Sequence, residues 1–255
     1  MKNNIIKTAT ILLILLFCST ASAHDIKKMA ALGDSCYRAS EYTSAITYYE
    51  TVLDSGFSSA DIYYNLGNAY YRTSDYTHAI LNYERALRLK PTMHDANHNL
   101  ALAKDKTTDR IETLPRLFFL QWIDTLTTAV TPAVWRIVFL FLLAVVVAAV
   151  VLVIVGRGLQ LRKCSLACAI VAGLFMLVSA TLLVSSTKRY NDRADAIIMQ
   201  PSVAVKSSPE MQSVDIMVLH EGTKVHVDES LEGWNKIRIA DGTTGWCQTE
   251  AIERI

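Results

Sequence analysis

LGDSCYRASEYTSAITYYETVL, residues 32–53, returns 34 residues later as LGNAYYRTSDYTHAILNYERAL, residues 66–87, identical at 12 of 22 positions. A period of this length belongs to a two-helix unit that cannot bury its apolar face alone and must stack on its neighbours. Small residues at Gly33, Ala45, Gly67 and Ala79 let the helices of each unit approach closely, and Tyr49 and Tyr83 fill the space beside them. A third first-helix is expected over residues 95–106, with Leu100 and Ala101 in register with Leu66 and Gly67. No second helix follows it. The module thus has about two and a half repeats, where three are usually needed for stability. It either caps itself with the 95–106 helix or leans on a partner.

The pattern resembles the tetratricopeptide repeat. Tyr63, Leu66, Gly67, Tyr70, Ala79, Tyr83, Ala86 and Pro91 carry the resemblance in the second copy, and Met29, Leu32, Gly33, Ala45 and Tyr49 in the first. Cys36, Val52 and Phe57 depart from it. The resemblance implies a concave, peptide-binding groove lined by first helices, presenting Asp34, Tyr37, Arg38, Tyr64, Asn65, Asn68, Tyr71, Arg72, His98 and Asn99. Asn68 and Asn99 match two asparagines with which some members hold a partner's C-terminal carboxylate. Tyr64 stands where a lysine is expected and a further basic pair is missing, so the implied ligand is a peptide or protein in general. Ten of the eleven tyrosines fall in this segment; packing with the hydroxyl at the surface is the ordinary role for most of them.

Outward from the repeats, the apolar residues that make up 51% of the chain are concentrated in three blocks. Residues 1–23 have a basic start, a short apolar run and a small-residue end at Ala21-Ser22-Ala23, which describes a secretory signal peptide. Phe17 before Cys18 disfavours lipidation there. The second block has no charge from Ile137 to Val155, and the third none from Cys164 to Thr187. Transmembrane helices are expected over 134–155 and 164–187, joined by a cytoplasmic loop at 156–163 that carries Arg157, Arg162 and Lys163. A cleaved signal and this basic loop place both flanking segments on the extracytoplasmic side. Residues 111–133, rich in Leu, Phe and Trp, read as an interfacial helix or as a linker helix packed on the repeats. Cys164 and Cys168 share a helix face and are expected to pack between the spans.

Beyond Asp195 the sequence turns to short β-rich runs at 196–198, 203–205, 214–219, 224–227, 235–239 and 245–247, separated by Gly, Pro, Asp or Ser turns. A small barrel over 188–255 follows. Val203-Ala204-Val205-Lys206-Ser207-Ser208-Pro209, Glu221-Gly222-Thr223-Lys224-Val225, Gly233-Trp234 and Asp241-Gly242-Thr243-Thr244-Gly245-Trp246 closely resemble a bacterial SH3-like domain. The resemblance implies binding of peptides or cell-wall material, with Trp234 and Trp246 as surface candidates and at least one of them expected in the core. A Cys36–Cys247 bridge is open to both residues outside the cell.

The fold class is therefore a multidomain membrane protein: an all-α tetratricopeptide repeat module (24–110), two transmembrane helices and a C-terminal all-β SH3-like barrel. A net charge of +1 excludes a strongly basic nucleic-acid binder. His94 and His98 lie at the helical spacing of a zinc motif but lack its glutamate and a third ligand, so no metal site is expected. No phosphate loop, nucleophile elbow or other catalytic set is present, no cofactor is implied, and the spans hold no ionisable path. The order signal peptide, repeats, hairpin and barrel resembles the BatE family of bacterial aerotolerance operons. That resemblance implies a non-enzymatic inner-membrane scaffold in oxidative-stress tolerance, with periplasmic modules and partners that include von Willebrand A domain membrane proteins and a MoxR-type ATPase. A cell-wall tether gripping peptidoglycan through the SH3-like domain is the alternative.

Overall fold

The computed structural model describes residues 25–111, 130–191 and 194–255. The signal peptide expected at 1–23 and most of the juxtamembrane helix expected at 111–133 lie outside them. The described residues form two units: 25–111 together with 194–255, and 130–191.

The first unit opens with five helices, α1 (25–38), α2 (Tyr42–Asp54), α3 (Ala60–Arg72), α4 (Tyr76–Leu89) and α5 (His94–Lys104). The sequence repeat is reproduced as a backbone repeat. Ser40 and Ser74, one period apart, both take φ of 64° in the turn inside each hairpin. Glu41 N–H donates to Cys36 O at 2.9 Å and Asp75 N–H to Tyr70 O at 3.0 Å, closing both turns alike. Ser59 caps α3 by accepting from Ile62 N–H, and Asp75 caps α4 by accepting from His78 N–H. A Cβ on Gly33 would stand 2.6 Å from the Tyr49 ring, and one on Gly67 2.8 Å from that of Tyr83. Glycine at both positions is thus what lets the helices close over the tyrosines.

Ala45, Tyr49, Val52, Ile62, Leu66 and Ala69 form the core of the first hairpin and α3. The next core contains Ala79, Ile80, Leu81, Tyr83, Leu100 and Ala103, and it does not end with the helices. Ile197 and Ile255, from the C-terminal segment, complete it. Among the described residues this repeat core is thus completed by the barrel, so the repeats lean on a partner within their own chain.

Seven strands make the barrel: β1 (Asp195–Ile198), β2 (Ser202–Lys206), β3 (Asp215–His220), β4 (Lys224–Leu231), β5 (Trp234–Arg238), β6 (Thr244–Gln248) and β7 (Ile252–Arg254). All pairings are antiparallel in the order β3-β2-β6-β5-β4-β1-β7, with register shifts between Val205 and Lys206 and between Val227 and Glu229. The six β-rich runs read from the sequence are all strands; β7 was not among them. Strand alternation places Val203, Val205, Leu219, Val225, Val227, Ile237 and Cys247 in the barrel core. β1 is buried on both faces, with Ala196 and Ile198 in the barrel core and Ile197 in the helical core.

Polar contacts extend this joint. Glu84 of α4 accepts from Lys104 at 2.8 Å and from Lys224 at 2.9 Å, and Lys224 also meets Asp195 at 3.0 Å. Asp109 accepts from the N–H of His220 and the hydroxyl of Thr223, both at 2.7 Å, and faces His220 Nδ1. Arg85 binds Glu253 at 2.8 Å, and Arg88 donates to the carbonyl of Ile255. Gly222, at φ +84°, turns so close to the helices that a Cβ would lie 2.6 Å from Thr107.

The second unit is a helical hairpin, α6 (Pro132–Val155) and α7 (Leu159–Asn191), both long and apolar enough to cross a membrane. At ~1.5 Å per residue, α6 exceeds the ~30 Å hydrocarbon thickness. The connection is shorter than the loop expected at 156–163: only Gly156, Arg157 and Gly158 lie between the helices. Hydropathy marks where a span ends, whereas the helix continues through Arg162 and Lys163. Arg162 donates from Nε to the carbonyl of Gly156 at 2.7 Å. Buried positions are mostly small, among them Ala149, Ser165, Ala172, Ser179 and Ser186. Cys164 and Cys168 are exposed rather than packed between the helices, because Ser165 and Ala172 take the inward positions.

Candidate functional site

The residues expected to line a groove stand on α1, α3 and α5. Asp34, Tyr37 and Arg38 stand on α1, Tyr64, Asn65, Asn68, Tyr71 and Arg72 on α3, and His98 and Asn99 on α5. The repeat places one hydrogen-bond motif twice. In the first copy Asp34 Oδ1 accepts from the Tyr49 hydroxyl at 2.7 Å and from Asn65 Nδ2 at 3.1 Å. In the second, Asn68 Oδ1 accepts from the Tyr83 hydroxyl at 2.7 Å and from Asn99 Nδ2 at 2.8 Å. Burial, followed by the bond to Asp34, pushes the Tyr49 hydroxyl well above the usual phenol range, and burial does the same to Tyr83. Both tyrosines therefore stay protonated and donating across the physiological range.

Asp34, Tyr37, Arg38, Tyr49, Asn65 and Asn68 line an open cavity of about 250 Å³. That is below the ~300–1,000 Å³ typical of small-molecule pockets and suits a single side chain. The other groove candidates do other work. Arg72 lies over the Tyr42 ring at 4.5 Å, Tyr71 meets Tyr76 edge to face, and Tyr64 tilts against Tyr83 while accepting from Asn99 at 3.3 Å. Asn99 thus has one amide hydrogen on Asn68 and the other on Tyr64, leaving no donor for a partner's carboxylate. Tyr49 was not among the groove residues read from sequence. Its 34-residue spacing from Tyr83, each one helix away from an acceptor at 34 or 68, was the signal for it.

On the barrel, Trp234 and Trp246 are half-buried and neither joins the core. The expectation that at least one would be a core residue fails because β5 and β6 turn Asn235, Ile237, Gly245 and Cys247 inward. Gly245 is required there, since a Cβ would lie 2.4 Å from Val205. The buried Asn235 is satisfied by Ser230 and Thr249. On the outer face Trp246 pairs with Lys206 on one side and Lys236 on the other. Cys36 and Cys247 are both free thiols in separate cores, so no bridge joins them, and burial pushes the Cys247 thiol up to about 11.

An open groove on paired helices and an outward aromatic face on a small barrel define a protein of interaction modules. Residues 33–74 and 60–93 match tetratricopeptide repeat families, and residues 201–253 match the bacterial SH3 domain. Domains of these kinds are typically non-catalytic and bind proteins or, for the bacterial SH3 domain, peptidoglycan. No curated protein matches the chain. The SH3 match begins after β1, so the strand that joins the two modules lies outside it.

Proposed function

We propose that this chain is a non-enzymatic scaffold of the bacterial inner membrane, holding partner proteins with two periplasmic modules in a Bat-type aerotolerance complex. One observation carries the reading. Residues before and after the hairpin close into a single unit through Ile197, Ile255 and the Glu84–Lys224 pair. Both ends of a two-span hairpin must then leave the membrane on the same side. The signal peptide read at 1–23 and the basic end of the hairpin, at Arg157 in the turn and Arg162 and Lys163 in the first turns of α7, support the periplasm as that side. The spans act as an anchor, and the partners are membrane proteins with von Willebrand A domains, as the BatE resemblance implies. A photo-crosslinking residue at Arg38, at the cavity rim, tests the reading in intact membranes. The expected product is an adduct with such a protein, and no adduct there, with full expression, would refute it.

A second reading is favoured by Trp246 on the outer β face, in register with Lys236 and with Lys206, whose ammonium is held by Asp215. An aromatic ring beside the Lys236 cation suits the sugars and acidic stems of peptidoglycan. Retention of the full chain on purified wall material, lost on Trp246→Ala, is the result that reading requires.

A further inference from the structure

We propose that the groove cavity reads a cationic side chain, so that the partner segment it binds carries a lysine or arginine at that point. The inference rests on the groove being a partner-binding face and adds the chemistry of what it binds. The two copies of the hydrogen-bond motif differ by one charge: the acceptor is Asp34 in the first and Asn68 in the second. Both internal bonds to Asp34 fall on Oδ1. Oδ2 has no hydrogen bond among the described residues, and the carboxylate has no ion-pair partner among them. Asp34 is half-buried and lines the cavity.

The remaining valences have the same sense. Asn65 spends an amide hydrogen on Asp34, and its carbonyl oxygen has no partner among the described residues. Asn99 has both hydrogens committed and offers only its oxygen. Two acceptors of the cavity lining, the Asp34 carboxylate and the Asn65 carbonyl oxygen, are thus unmatched, one of them charged. Arg38 and the Nδ2 of Asn68 are donors in the same lining, available to carbonyl groups of a peptide main chain. An ammonium or guanidinium group supplies the donors that Asp34 and Asn65 lack, whereas a glutamate side chain would set a carboxylate against Asp34.

The second repeat supplies the test. Asn68 shows that an asparagine can accept the same two internal bonds, so Asp34→Asn removes the charge and keeps the motif. Detergent-solubilised full chain is applied to an array of short random-sequence peptides, beside the Asp34→Asn variant and the reverse change Asn68→Asp. The wild type is expected to enrich lysine and arginine at one position of the retained peptides. Asp34→Asn should weaken those peptides by roughly tenfold or more, as expected for one charge-assisted hydrogen bond, with an unchanged melting temperature. Asn68→Asp should strengthen the basic preference. Retained peptides with no basic enrichment, or an enrichment that survives Asp34→Asn, would overturn the inference and leave the binding face intact. No retained peptides at all would remove the binding face and the inference together.

Discussion

Glu84 is the most informative residue to perturb, because it sits where the helical repeats meet the barrel. Its side chain is 10% exposed and bridges Lys104, on the helices, to Lys224, on the barrel. Burial alone would raise its carboxyl, but Lys224 and Lys104 outweigh that and hold it below the ordinary carboxylate range. Glu84→Gln keeps the shape and removes the charge, leaving two ammonium groups facing a neutral amide. Breaking a fully buried pair costs about 3–5 kcal/mol. Both lysine side chains are more than a third exposed, at 44% and 36%, so solvent screens much of this and about 2 kcal/mol is the expected loss. In a unit of this size that lowers the melting temperature by roughly 4–8 °C. The assay is thermal unfolding of the full chain in detergent for Glu84→Gln, Lys224→Met and the double variant. The two residues should couple by more than about 0.5 kcal/mol, the limit within which independent sites add. Strict additivity would refute the claim that this pair fastens the modules.

Acid should open the same joint. In Asp109 the lowering bonds from His220 and Thr223, and in Asp195 those from Lys224 and His226, outweigh the raising effect of burial, and Glu84 is lowered likewise. Groups with depressed folded values stabilise the protein above their unfolded pKa, about 3.9 for Asp and 4.3 for Glu, and that contribution fades as pH falls through the folded values. A melting temperature that drops below about pH 4, less steeply in Glu84→Gln, is the expected titration; parallel curves would count against it. Gly67→Ala drives a methyl group into the Tyr83 ring, which is held by Asn68, and should cost about 1–3 kcal/mol in chemical denaturation. An unchanged midpoint would show that the ring can yield.

The repeats were legible because their physics is local and duplicated. Glycines under tyrosine rings, alanines at helix contacts and a fixed period are all properties of short sequence windows. The spans were legible because water exclusion is written as composition. The joint was not. Ile197 reads as one more β-strand residue, and nothing in its neighbourhood says that it faces a second core. Glu84 and Lys224 lie 140 residues apart, with two spans between them in the sequence. The expectation that Trp234 or Trp246 would lie in the core failed for a related reason: a run of apolar and aromatic residues in a strand fixes alternation but not which parity faces inward. That parity is set by Gly245, whose missing side chain admits Val205. In the groove the sequence supplied the residues but not their valences. Asn99 looks like a free donor until its bonds to Asn68 and Tyr64 are counted.

The joint also changes what binding by two modules means. Two sites on a flexible chain reinforce one another over many separations, whereas two sites fixed in one body do so only for a partner that matches their spacing. Ile197→Ala separates these cases. It leaves every groove residue and both tryptophans in place and removes most of a fully buried side chain from the helical core that β1 completes. Such truncations cost about 2–5 kcal/mol, enough to raise the undocked population at least about thirtyfold. Peptides that occupy the cavity alone should then bind nearly as before, since Tyr37 and Tyr49 in its lining pack on the first core, whereas Tyr64 and Tyr71 pack on the one that β1 completes. Capture of a partner that spans groove and barrel should fall, in crosslinking yield at Arg38 and in co-purification from membranes alike. If co-purification is undiminished while melting confirms the loss of docking, the modules act independently and their fixed spacing plays no part in recognition.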